Sequence, residues 1–131
     1  MGIDYGKKRI GAAMSDKEGQ MAFPYAVIEN NAKKFSAIRK ICENENISKI
    51  VVGLPKNLKG EETEMTKEIQ KFGRRLRQKI GLKIIFQNEM FSTKEAVQIQ
   101  GRRQEIDASA AALILDSYLI SQRLKRKNKM I

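Results

Sequence analysis

The sequence contains no histidine and no tryptophan, and only one cysteine and two prolines among 131 residues. Without histidine there is no Ser-His or Cys-His nucleophile system, and zinc sites built on imidazole are excluded, so any hydrolysis must run on carboxylates, lysine or metal ions. A single cysteine, Cys42, excludes a disulfide within the chain; it falls on the apolar side of a helical pattern and reads as a core residue in a reducing compartment. No apolar run is long enough to span a bilayer, and the first residues lack the regions of a signal peptide, so the expected location is the cytoplasm, with no membrane partner. Negative charge is also scarce: 15 Asp and Glu stand against 26 Lys and Arg, a net charge of +11. That excess suits a polyanion, because side chains that neutralise phosphates give salt-sensitive, sequence-independent affinity for nucleic acid. Solubility alone is the competing explanation.

What is present is ordinary for a globular protein, with 41% hydrophobic and 31% charged residues. The length suffices for one core, so residues 1–131 are read as a single domain. Gly2 to Tyr5, Arg9 to Ser15 and Gln20 to Ile28 read as three short strands, and the short turns between them imply antiparallel neighbours. Phe35, Ile38, Ile41 and Cys42 recur at helical spacing between Lys33 and Asn46, and the β-branched run Ile50-Val51-Val52 marks a buried strand from Ile47 to Leu54. Met65, Ile69, Phe72, Leu76 and Ile80 describe the clearest helix, ended by Gly81. Leu82 to Phe86 follows as a strand, Ser92 and Glu95 have the spacing of a capping box, and a last helix is expected from about Asp107 to Leu124. The basic tail from Arg123 to Ile131 reads as a solvated, frayed end. The predicted architecture is α/β: a mixed five-stranded sheet, three antiparallel strands then two parallel, flanked by helices. Such sheets bind ligands beyond the carboxyl ends of their parallel strands.

Three acids stand out against this frame. Asp4 lies inside an apolar first strand, where a carboxylate is costly to bury unless it is paired or binds a cation. Glu89 follows the strand ending at Phe86, and Asp107 opens the last helix. Three oxygen donors suit magnesium or manganese, and two such ions about 4 Å apart activate water and hold a phosphodiester without any histidine. Each acid also has a plain alternative: Asp4 as a turn brace, Glu89 as a surface acid, Asp107 as an N-cap. Lys7, Lys8 and Arg9 flank Asp4 and are placed to hold a phosphate backbone. Gly53-Leu54-Pro55-Lys56 ends a buried strand where a loop would approach a phosphate, although Gly and Pro there are commonly punctuation. Arg74, Arg75, Arg77 and Lys79 form a further basic set whose commoner role is a solvated helix face.

Read together, Gly2-Ile3-Asp4-Tyr5-Gly6-Lys7-Lys8-Arg9-Ile10-Gly11, Val51-Val52-Gly53-Leu54-Pro55, Asn88-Glu89 with Ser92-Thr93, and Ile106-Asp107-Ala108-Ser109-Ala110-Ala111 resemble the YqgF family over essentially the whole chain. Members of that family are called Holliday junction resolvases or nucleases that mature the 5′ end of pre-16S ribosomal RNA. The resemblance implies a ribonuclease H-like fold and catalytic, metal-holding acids at Asp4, Glu89 and Asp107, with Mg2+ or Mn2+ as a pair of ions. Beside these acids, Lys7, Lys8, Arg9, Lys56, Arg102 and Arg103 are the residues expected to hold the substrate backbone. Strand one begins more abruptly than the family pattern, and Asn88 and Met90 replace a family acid and arginine, leaving Lys94 or Arg102 to take the arginine's phosphate contact.

The expected function is endonucleolytic cleavage of structured RNA in ribosomal RNA maturation, acting on ribosomal precursors as a monomer or weak homodimer. Resolution of four-way DNA junctions by the same site is the rival, and would call for a symmetric dimer. A non-catalytic RNA-binding or ribosome-assembly module is a second class. A phosphate-binding ATPase or sugar kinase, suggested by the opening Gly-x-Asp-x-Gly, needs two lobes where 131 residues supply roughly one.

Overall fold

Five short strands, none longer than eight residues, build the framework in a computed structural model that describes residues 1–55, 61–89 and 103–129. In chain order the described elements are β1 (Gly2–Tyr5), β2 (Arg9–Ser15), β3 (Ala22–Glu29), α1 (Lys34–Asn44), β4 (Lys49–Pro55), α2 (Glu64–Ile80), β5 (Lys83–Glu89) and α3 (Arg103–Lys129). One sheet holds all five strands in the order β3-β2-β1-β4-β5. The β1–β2 and β2–β3 pairs are antiparallel, and β1–β4 and β4–β5 are parallel. This is the mixed sheet expected from the sequence, with β1 at its centre. Although β1 is short, it is tied to β4 from the residue before it, since Val51 N donates to Met1 O at 2.8 Å.

Alternation along β1 divides the molecule. Ile3 points with Ile50, Val52 and Leu54 into a large core closed by Ile38 and Cys42 of α1 and Ile69, Phe72 and Leu76 of α2. Cys42 is thus a core residue, as its place in the helical pattern predicted. Six of these core residues are fully buried aliphatics, each worth about 1.5–3 kcal/mol against exposure. The opposite face carries Ala13 and Val51 and is covered by α3 through Ala111, Ile114, Leu115 and Tyr118. There the strands present glycine: a Cβ on Gly2 would lie 2.7 Å from Leu115 Cβ and 2.8 Å from Ala111 O, and one on Gly53 would run into the Ile114 side chain. Only residues without a side chain let α3 come this close.

The element boundaries depart from expectation at particular places. β3 starts at Ala22 rather than Gln20, because Asp16 Oδ1 accepts from Gln20 N at 2.7 Å and Met21 N at 3.2 Å and turns the chain first. α1 stops at Asn44, and Asn46 takes a left-handed conformation, which asparagine tolerates. β5 continues through Gln87 and Asn88 to Glu89, paired along β4 as far as Pro55. α3 begins at Arg103 and continues to Lys129, so Asp107 is not its N-cap but lies in its second turn, and the basic tail is helical as far as Lys129. The Ser92–Glu95 box lies outside the described residues. Among the described residues no helix is long and apolar enough to cross a membrane.

Candidate active site

Asp4 sits one residue from the end of β1, opposite Gly11 in the antiparallel ladder. Its face follows from its neighbours: Gly2, two residues back, abuts Ala111 and Leu115, so Asp4 belongs to the α3 side of the sheet. The residue is partly buried, and its Oδ2 atom is fully buried. A carboxylate oxygen drawn out of water at the end of an apolar strand is a strong hard-cation donor, because the cost of desolvating it falls when it meets a positive charge.

The other two acids are placed by backbone register. Ile3 pairs with Val52 and Val52 with Phe86, so Asp4 lies one step further along, level with Gly53 and Gln87. Glu89 is two residues beyond Gln87, the last residue of β5 and opposite Pro55. Alternation therefore puts the Glu89 position on the same sheet face as Gly53 and Asp4. α3 runs antiparallel to β4: Lys49 and Val51, early in β4, share a cavity with Leu115, Tyr118 and Gln122, whereas Gly53, later in β4, meets Ile114. The beginning of α3 is accordingly at the carboxyl ends of β1, β4 and β5. Asp107 is one helical turn before Ala111, the residue whose carbonyl abuts Gly2. All three backbone positions therefore share one end and one face of the sheet. Among the described residues no three acids or thiols cluster as a metal site; the side chains of Glu89 and Asp107 lie outside the described set.

The basic candidates divide. Lys7 and Lys8 are exposed in the turn after β1, and Arg9 opens β2 opposite Glu29. This turn is braced by Asn30, whose Nδ2 donates to Gly6 O at 2.8 Å and whose backbone N donates to Lys8 O at 3.0 Å. Two exposed lysines thus stand in a braced turn at the carboxyl end of β1. Lys56, Lys94 and Arg102 lie outside the described residues. Arg103 is the first residue of α3, at the same end as Asp107, and is described as backbone only.

Three supports went unread in the sequence. Thr63 caps α2 by accepting from Thr66 N at 3.3 Å, and Thr66 Oγ1 in turn donates to Pro55 O at 2.9 Å, fastening the start of α2 to the end of β4. The Thr-x-x-Thr spacing was the available signal, disguised because threonine stands where a capping box usually has Glu or Gln. Tyr5, next to Asp4 but on the opposite face, donates from its hydroxyl to Glu68 Oε1 at 3.1 Å. Burial foremost, together with the Glu68 carboxylate and against a hydrogen bond with Asn30, raises the Tyr5 pKa and keeps it a neutral donor. The Asn30 brace is the third, and depends on a contact 24 residues distant in sequence.

Comparison with known proteins bears on the family and the fold. A family model described as RuvX: Holliday junction resolvase matches residues 1–121. A Maridesulfovibrio salexigens protein named "Putative pre-16S rRNA nuclease" is 36% identical over 129 residues, 91% of this chain and 96% of that protein. A Sulfurihydrogenibium protein of the same name is 39% identical over 127 residues, covering 91% and 88%. The structure of Thermus thermophilus RuvC in complex with a Holliday junction substrate superposes with a TM-score of 0.58 at 12% identity, over 93% of this chain and 94% of that one. At that identity the likeness concerns the fold, and it accords with a ribonuclease H-like architecture.

Proposed function

This chain belongs to the RuvX family, also called YqgF, and we propose that it is a metal-dependent endonuclease that cuts structured RNA, processing the 5′ end of pre-16S ribosomal RNA. The observation that carries the reading is Asp4: a carboxylate with a buried oxygen at the carboxyl end of the central strand, on the face that meets the start of α3. Asp4, Glu89 and Asp107 hold Mg2+ or Mn2+, as a pair of ions, and the oxygen-only donor set fits such cations. When bound, the ions supply Lewis-acid stabilisation of the phosphodiester and activation of water.

The chain's own residues do the rest. β1 is hydrogen-bonded on both edges, which fixes the Asp4 backbone, and Gly2 and Gly53 let α3 approach so that Asp107 is carried to the same end. Lys7, Lys8 and Arg9, with Lys56, Arg102 and Arg103, hold the substrate backbone, a task that positions without reading sequence. The working partner is RNA within ribosomal precursor particles, met in the cytoplasm by a monomer or weak homodimer.

The family description and the curated names favour different substrates, so junction DNA is kept as the second reading. Purified protein with magnesium is given a labelled ribosomal RNA precursor and a four-way DNA junction in parallel. Cleavage of the RNA at its 5′ side, abolished by Asp4→Asn with binding retained, is the expected result. Symmetric junction cuts with untouched RNA would transfer the function to DNA, and salt-sensitive RNA binding without any magnesium-dependent cut would make the chain a binding module.

A further inference from the structure

The face opposite the acids carries a groove between α1 and α2 that the proposed reaction does not use, lined by Tyr5, Lys34, Phe35, Glu68, Lys71 and Arg75. Its floor is aromatic. Tyr5 and Phe72 have ring centroids 4.6 Å apart, and Phe72 stacks on Phe35 at 5.7 Å. Three cations converge on the single ring of Phe35: Lys34 Nζ at 5.1 Å, Lys79 Nζ at 5.2 Å and Arg75 Cζ at 5.9 Å. Among the described residues none of Lys34, Lys71, Arg75 and Lys79 forms an ion pair. The groove's own acid, Glu68, accepts the hydroxyl of Tyr5 instead.

Like charges gathered in this way repel one another, and the negative face of one ring offsets only part of that repulsion. An anion offsets more. Its form follows from the spacing. Lys71, Arg75 and Lys79 succeed each other at four-residue intervals, one helical turn or about 6 Å apart, in a single row along α2. That step is comparable to the separation of consecutive phosphates in one nucleic-acid strand. The row also has a direction. α2 starts at the carboxyl end of β4, where Thr66 meets Pro55, and Tyr5 follows Asp4, so the groove opens at the acidic end of the sheet and leads away from it.

We propose that this groove holds a single-stranded segment of nucleic acid as it leaves the cutting end, with phosphates on Lys71, Arg75 and Lys79 and with Lys34 and Phe35 at its rim. An aromatic floor beside a basic track is the usual construction of single-strand sites. The direction of the strand rests on the nuclease reading above; the binding itself does not.

The test is fluorescence anisotropy of a short labelled oligouridine with the full chain in EDTA, which prevents cleavage, over a salt series. Arg75→Ala/Lys79→Ala is compared with Arg74→Ala/Arg77→Ala, which removes the same charge from exposed positions of the same helix outside the groove. The groove variant is expected to bind roughly tenfold more weakly and to flatten the log–log salt slope by about 1.4, as for two lost single-strand phosphate contacts. The control pair is expected to change the slope little. Equal losses in the two variants, no loss in either, or equal loss for a blunt RNA duplex would overturn the proposal. Because no cleavage is involved, these outcomes stand whether or not the chain cuts RNA.

Discussion

The two faces of the sheet are made by the same strands, and both are apolar, yet they differ in the size of what the strands present. Toward α1 and α2 the strands offer Ile3, Ile50, Val52 and Leu54, large side chains interlocked with Phe72 and Leu76. Toward α3 they offer Gly2, Ala13 and Gly53, which leave room only for a close helix, and in the same row stands Asp4. One face gets its stability from buried volume. On the other, glycine at Gly2 and Gly53 admits α3, which bears Asp107, close to the strands, one of which bears Asp4. Period-two alternation is the device that separates the two tasks, since a one-residue slip would send Asp4 into the apolar core and Ile3 toward α3.

Substitutions on each face should therefore fail differently. Ile3→Ala opens a cavity in the large core and is expected to cost about 2–5 kcal/mol of unfolding free energy, read by urea denaturation. Cleavage per folded molecule should remain close to that of the parent; a loss well beyond the unfolded fraction would mean that the apolar face also shapes the site. Gly53→Ala is expected to cost less stability, about 1–3 kcal/mol, because Ile114 must give way to the new methyl. Its cleavage per folded molecule should nevertheless fall more than that of Ile3→Ala, since the yielding helix carries Asp107. If Gly53→Ala proves as active as the parent, close approach of α3 is not what assembles the site.

Much of this division was legible in the sequence, and the reasons are specific. β-branched runs and four-residue periodicity mark β4 and α2, and an acid within apolar β1 marks Asp4 from local sequence alone. What escaped was decided by tertiary pairing. Gln87, Asn88 and Glu89 have weak strand preferences, yet they extend β5 because β4 pairs with them to Pro55. The first turn of α3 from Arg103 to Ile106 is mostly polar and carries no periodic signal, so the apolar pattern of this helix starts only near Asp107. The role of the two glycines that admit α3 is not encoded locally: Gly53 has the spacing of strand punctuation, and only the tertiary contact with Ile114 distinguishes it. The groove at Phe35 was equally hidden, because its cations come from α1 and α2, which are remote in sequence.

The central claim is that Asp4, Glu89 and Asp107 meet on divalent metal, and the most direct test is a crystal structure of the chain soaked in manganese. Anomalous peaks bonded to carboxylate oxygens of all three acids, at roughly the 2.1 Å of a magnesium–oxygen bond, are the predicted result. Manganese absent from this end of the sheet, or bound there without Asp4, would contradict it.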